Sequence, residues 1–348
     1  MLDPLLEIED QTNTVSLVVA LADYAATTHA IKNDAAFATA RHCLIDALAH
    51  GFEALRDPRC GALIGPLVPG ALMPGGARVP GTSLELDPAQ AAFCTGVMLC
   101  QTASGSHWQA LQSRCAADPI GAILAVADYQ ARKAAMEGKP PLKVHDVLGA
   151  IIKALEIQVV LAAEGRYQQM GLMSAAIRSA RVAATAIVTA QLGGAMGQIV
   201  IALSYACMDG EMSIGVAEAQ YDVQRENWAR ADAVSRAVRY ACQAIASGPA
   251  SYLTSLDLTA ADRAGKLLGA KPATSRKPFG TEVIGRLADL RKPQNALQVA
   301  MRFQTAVERH FPPRQAERVK TLFSVPDRLD DLPVNELLAA LVTNGSSK

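Results

Sequence analysis

Three observations on this chain of 348 residues predict a mainly α fold. Apolar residues recur at helical spacing through most of the sequence, period-two alternation is scarce, and Asp-Pro pairs and Gly doublets interrupt the periodic runs where helices start and stop. Half of the residues are hydrophobic, enough to fold without disulfides or structural metal as one large domain or two ordinary ones. The 33 basic and 33 acidic side chains cancel, so charge gives no argument for nucleic acid or an anionic membrane as a partner.

Residues 36–55 place Phe37, Ala40, Leu44, Ala47, Leu48, Gly51 and Leu55 on one broad stripe, and the run stops at Asp57-Pro58 because proline cannot continue a helix. Only 77–86 alternates like an extended segment. Asp87-Pro88 opens a helix to about Leu99, since Asp caps orphan N–H groups and Pro in the first turn sacrifices none. Asp118-Pro119 repeats the device for a helix through about Ala135, closed by the Gly and Pro residues of 137–141. Further helices are expected at 144–164, at 174–192 with a Gly193-Gly194 stop, at 197–208 and at 232–247. Their Ala-rich, broadly apolar faces suit helices packed on other helices. Residues 268–296 crowd Lys, Arg and Pro together and read as a solvated connection, after which helices return at 296–310, 314–323 and 334–342.

Cys43, Cys60, Cys94, Cys100, Cys115, Cys207 and Cys242 are odd in number, scattered and set mostly in apolar surroundings, which predicts reduced thiols in a cytosol. The acidic first ten residues lack the basic and apolar regions of a secretory signal. No apolar run approaches the roughly 20 residues that cross a bilayer. A soluble, cytoplasmic protein is expected.

Several blocks in a fixed order carry a resemblance. They are Cys43 to Gly51, Gly76-Ala-Arg-Val-Pro-Gly-Thr-Ser83, Leu86-Asp-Pro-Ala-Gln-Ala-Ala-Phe93, Gly121 to Tyr129, Ile152-Lys-Ala-Leu-Glu-Ile-Gln158, Trp228 to Arg239 and Leu332-Pro-Val-Asn-Glu336. In these the chain resembles the MmgE/PrpD family, in detail its 2-methylcitrate dehydratase branch. The resemblance implies an MmgE/PrpD-type large helical domain over 1–267, a smaller α+β lid mostly absent and reduced to a remnant or linker over 268–296, and C-terminal helices over 297–348 that pack back on the helical domain. It also implies a dimer, and a hydro-lyase chemistry of the methylcitrate cycle that uses no cofactor and no metal. Anti-elimination of water from a small polycarboxylate takes a base for the carbon-bound proton, an acid for the leaving hydroxyl and cations for the carboxylates.

The groups for that chemistry are replaced. The family motif Asp-Phe-x-Asp-Thr, followed by a His-Pro pair, falls where its leading Asp is Ala103, its second Asp Ser106, its Thr His107 and its His Cys115, and a family lysine falls on Glu226. Asp118 and Trp108 persist. The catalytic candidates are therefore His107, whose imidazole titrates near neutrality, Cys115, with Arg114 beside it to favour a thiolate, and Asp118. The plainer readings are a bystander loop histidine and a simple free thiol. Ser106 and His107 are expected to sit with Asp118 beside the vestigial cleft.

His42, Asp46 and His50 lie four apart on one helix face and form a candidate metal set, or more plainly the polar side of a partly buried helix. The expected function is that of a 2-methylcitrate dehydratase-like protein with little or no dehydratase activity. The alternatives are an altered lyase or isomerase acting on a small polycarboxylate, and a non-catalytic partner of an intact family member. The expected partners are a second copy or a related subunit, with a contact surface at 270–300 that loss of the lid would expose.

Overall fold

The fold is arranged around a helix with little surface of its own. The computed structural model describes residues 17–27, 31, 33–100, 118–163, 172–209, 223–247 and 293–343. Its helices are α1 (17–26), α2 (Asp34–Ala54), the short α3 (Pro58–Gly61), α4 (Pro88–Cys100), α5 (Asp118–Met136), α6 (Val144–Ala163), α7 (Leu172–Gln191), α8 (Met196–Met208) and α9 (Val223–Ala246), followed by α10 (Pro293–His310), α11 (Pro313–Ser324), α12 (Pro326–Asp331) and α13 (Val334–Ala340). Every residue of α5 from Asp118 to Asp128 is buried, because α4, α6, α7, α9 and α13 pack around it. A helix that is apolar on all sides belongs in a core, and the sequence Ile-Gly-Ala-Ile-Leu-Ala-Val-Ala has that character.

Local chemistry sets several boundaries where the sequence places them. The Asp87 carboxylate accepts from Ala89 N at 3.0 Å and Gln90 N at 3.1 Å, capping α4. Gly193 adopts φ +84°, and Gly194 N returns to Thr189 O at 2.9 Å, so a left-handed glycine closes α7.

Other expectations need correction. The stretch 77–86 is not one extended segment: β1 (Ala77–Arg78) and β2 (Glu85–Leu86) pair antiparallel around a turn that holds Gly81 at φ +76°. Helix α9 begins at Val223 rather than near residue 232, since Glu226 and Arg230 are turned inward and the polar-looking first turns are part of the packed face. Helices α1 and α12 were not anticipated, and Asp57-Pro58, expected only to stop α2, also starts α3, with the Asp57 carboxylate accepting from Arg59 N at 2.9 Å. The connection at 268–292 lies outside the described residues.

The C-terminal helices close over the first ones. Helix α10 lies on α2, stacking His310 on Phe52 with centroids 5.5 Å apart and setting Phe311 edge-on to the same ring at 5.0 Å. His310 Nε2 reaches Gly81 O at 2.7 Å, Gly81 N donates to Leu341 O at 2.7 Å, and Thr343 N donates to Thr82 O at 3.2 Å. The hairpin turn is thus finished by residues more than two hundred positions later.

Small residues let three helices meet. A Cβ on Gly121 of α5 would lie 2.9 Å from Gly96 N of α4, and one on Gly96 would lie 3.1 Å from Ala231 Cα of α9. Backbone atoms cannot swing aside as a side chain can. Gly121→Val is therefore expected to lower stability by about 1–3 kcal/mol or more, read as a fall in the urea midpoint at constant slope. Gly61→Ala, whose methyl meets nothing within 4 Å, is expected to be neutral or stabilising.

Candidate functional site

Helix α4 ends at Cys100 and α5 begins at Asp118, and Arg230 of α9 grips both ends. Its Nη2 donates to Asp118 Oδ1 at 2.6 Å, its Nε to both carboxylate oxygens at 3.1 Å, and its Nη1 to the Cys100 carbonyl at 3.3 Å. The Cys100 thiol donates to Asp118 Oδ1 at 3.0 Å. Asp118 and Arg230 are each 1 % exposed. A buried carboxylate is tolerable only with this degree of pairing, because desolvating either charge alone costs several kcal/mol.

Glu226 lies one turn before Arg230, also buried, with Oε1 3.9 Å from Nη1. Among the described residues the charges here are two carboxylates and one guanidinium. Next to it Asn227 is 2 % exposed, and neither its Oδ1 nor its Nδ2 has a hydrogen-bond partner. A buried amide with both ends unmet marks a place where water or a polar molecule completes the set.

Asp118 and Glu226 thus meet at the same guanidinium. The Asp118 carboxylate does not perform the capping its place before Pro119 suggests; it is committed to Arg230 and the Cys100 thiol. His107, Cys115, Ser106, Trp108, Ala103 and Arg114 lie outside the described residues. Sequence reasoning missed Arg230. The available signal is a charged residue on a stripe otherwise made of Ala231, Val234, Ala237, Val238 and Ala241, all buried. An arginine there has to find a carboxylate.

Other polar groups are set into the helical core. Asp209, at the end of α8, accepts from Arg181 Nη1 at 3.1 Å and Arg236 Nη1 at 3.0 Å. Burial opposes its ionisation, but the Tyr240 hydroxyl and the two arginines outweigh it and hold the carboxyl below its ordinary range. Glu156 of α6 is 4 % exposed, and burial pushes its carboxyl up to about 7.

Of the candidate metal set, Asp46 and His50 do meet, with Oδ2 to Nε2 at 3.6 Å. Arg302 of α10 takes the place a cation would fill: its Nη1 pairs with Asp46 Oδ1 and stands 3.1 Å from His50 Nε2. Burial pushes His50 and His42 below their ordinary range. Among the described residues no group of three His, Cys, Asp or Glu side chains is arranged for a metal ion. Cys43, Cys60, Cys94, Cys100 and Cys207 are buried free thiols; burial pushes Cys43 and Cys207 up to about 12.

Arg230→Met leaves Asp118 and Glu226 buried without their cation and is expected to cost about 3–5 kcal/mol in guanidinium unfolding, whereas Arg230→Met with Asp118→Leu is expected to recover most of that loss. Glu156 makes a separate prediction. Its folded value of about 7 lies above its ordinary 4.5, so the proton it holds stabilises the fold fully below 4.5, and that contribution is lost as pH rises through about 7. The thermal midpoint is expected to fall across that window, and Glu156→Gln to flatten the fall.

The chain was compared with known proteins on this footing. The model of the MmgE/PrpD N-terminal domain matches residues 19–252. The 2-methylcitrate dehydratase of Cupriavidus necator is 38% identical over 297 residues, covering 84% of this chain and 60% of the relative. That of Salmonella typhimurium is 41% identical over 227 residues, 65% of this chain and 46% of the relative. The mitochondrial 2-methylcitrate dehydratase of Yarrowia lipolytica is 37% identical over 278 residues, 78% of this chain and 52% of the relative. The chain spans about half the length of the curated relatives it matches. With the family model covering most of the described helical core, the chain belongs to the MmgE/PrpD family.

Proposed function

We propose that this chain is a 2-methylcitrate dehydratase-like protein with little or no dehydratase activity. The observation that carries the reading is the charge at the Asp118 position. Dehydrating a polycarboxylate calls for cations facing the substrate, yet Arg230 is occupied by Asp118, and Glu226 adds a second negative charge beside it. The retained acid has no free oxygen aimed at a substrate proton. With Ala103, Ser106 and Cys115 at the other motif positions, neither an acid nor a base of the family kind remains.

A second reading is an altered lyase or isomerase acting on a small polycarboxylate. One observation favours it: near Asp118 the buried Asn227 amide has no hydrogen-bond partner among the described residues, which suits a polar ligand there. His107, Asp118 and Cys115 are the candidate groups in that reading. Assembly as a homodimer or with a related subunit is supported by exposed apolar side chains, Leu297 and Met301 one turn apart on α10, and by residues 67–74, which are all exposed and include no polar side chain. The unpaired buried thiols suit a cytoplasmic setting. Among the described residues no helix is long and apolar enough to cross a membrane.

Ultraviolet absorbance of the unsaturated product, with 2-methylcitrate and citrate as substrates, tests the first reading. The expected turnover is at least about a hundredfold below the roughly 1–1,000 per second of ordinary enzymes. A rate within that range overturns it. Any slower residual rate is expected to fall sharply in His107→Gln or Cys115→Ala if the second reading holds, and to persist in both if it does not.

A further inference from the structure

Away from the Arg230 cluster, α1, α2, α6 and α7 line an open cavity of about 360 Å³, within the size range of small-ligand sites. Ile31, Ala150 and Ile187 give it apolar walls, and His145, Asp146, Lys153 and Gln191 give it polar ones, the Asp146 carboxylate being taken up by Lys143 N at 2.9 Å. Three features of the lining suit a ligand.

The first is Gly149. It lies in the interior of α6, where glycine is among the poorest helix formers. No close approach requires it, since a Cβ there would meet nothing within 4 Å. What the glycine does is leave the cavity floor bare. The second is Lys153, a half-buried cation that donates to the carbonyls of Ala25 and Thr27 and stands 5.6 Å from the centre of the Tyr24 ring. Among the described residues no carboxylate pairs with it, and burial lowers its affinity for the proton. The third is Gln191, whose Oε1 is buried without a donor.

An ammonium that has two carbonyls and a ring but no carboxylate can still take an anion on its third donor, an orphaned acceptor calls for a donor, and an apolar floor calls for a short hydrocarbon body. We infer that the cavity over Gly149 binds a short-chain hydroxycarboxylate, its carboxylate on Lys153, its hydroxyl donating to Gln191 Oε1, and its alkyl part against Ile31, Ala150 and Ile187. The site is separate from the residues of the proposed dehydratase reading and stands whether or not that reading does. Phe37 stacks on His145 at 4.3 Å and holds that ring in the wall.

Saturation-transfer NMR on the full chain tests this, with 2-hydroxybutyrate as the probe and butyrate and 1-butanol for comparison. The hydroxy acid is expected to give the strongest signal, butyrate a weaker one, and 1-butanol little. Lys153→Met is expected to weaken the hydroxy acid at least about tenfold, and Gln191→Leu to bring it down to the level of butyrate. Gly149→Leu fills the floor and improves the helix, so it is expected to abolish binding with no fall in thermal midpoint. Absence of any signal at roughly 10 mM probe overturns the proposal. So does unchanged binding in folded Gly149→Leu, or 1-butanol binding as well as the acids, which would mean an apolar hole. Should Lys153→Met fail to fold, Gly149→Leu and Gln191→Leu decide.

Discussion

Burying α5 leaves the chain with two carboxylates to neutralise, and the rest of the architecture follows from how that is done. Asp118 and Asp128 are buried at 1 % and 0 % exposure. Asp128 is met by Arg78, which donates from its backbone N at 2.9 Å, from Nε at 3.1 Å and from Nη2 at 2.6 Å. The same Nη2 reaches Asn335 O at 2.6 Å. Arg78 therefore joins the hairpin, the central helix and the last helix, while Arg230 joins α4, α5 and α9. Removing a partner from such a pair is costly even where the pair itself contributes little net stability. These arginines specify which elements lie beside α5.

Much of the helical layout was legible because its signals are local. Asp87 before Pro88 and Gly193 before Gly194 act on backbone groups within a few residues, and both behave as their chemistry requires. The ion pairs were not legible, because nothing local in Arg230 names Asp118 as its partner across 112 positions. The same failure explains Asp118 itself, where a short-range capping argument lost to a long-range charge. The early start of α9 was hidden for a related reason: Glu226, Asn227 and Arg230 look like surface residues until they are found buried together.

Family membership fixes the scaffold of this molecule and does not by itself fix its chemistry. Glycines at the α4, α5 and α9 crossing, the capped start of α4 and the two arginine clasps preserve a scaffold that aligns with dehydratases. The polar groups that remain at the Asp118 position are turned toward one another. A side chain that satisfies a buried neighbour is at its most stable when it does nothing else, so structural satisfaction and catalytic availability compete for the same carboxylate.

The closure at Gly81 bears on the order in which the chain is made. The turn of the hairpin is bonded by His310, Leu341 and Thr343, so during synthesis from the N-terminus the early helices emerge long before the residues that complete them. Contacts of such sequence separation are slow to form. The nascent helical domain must therefore wait, with Phe52 uncovered, until the final helices leave the ribosome. That interval is when chaperones would have the greatest influence on its yield.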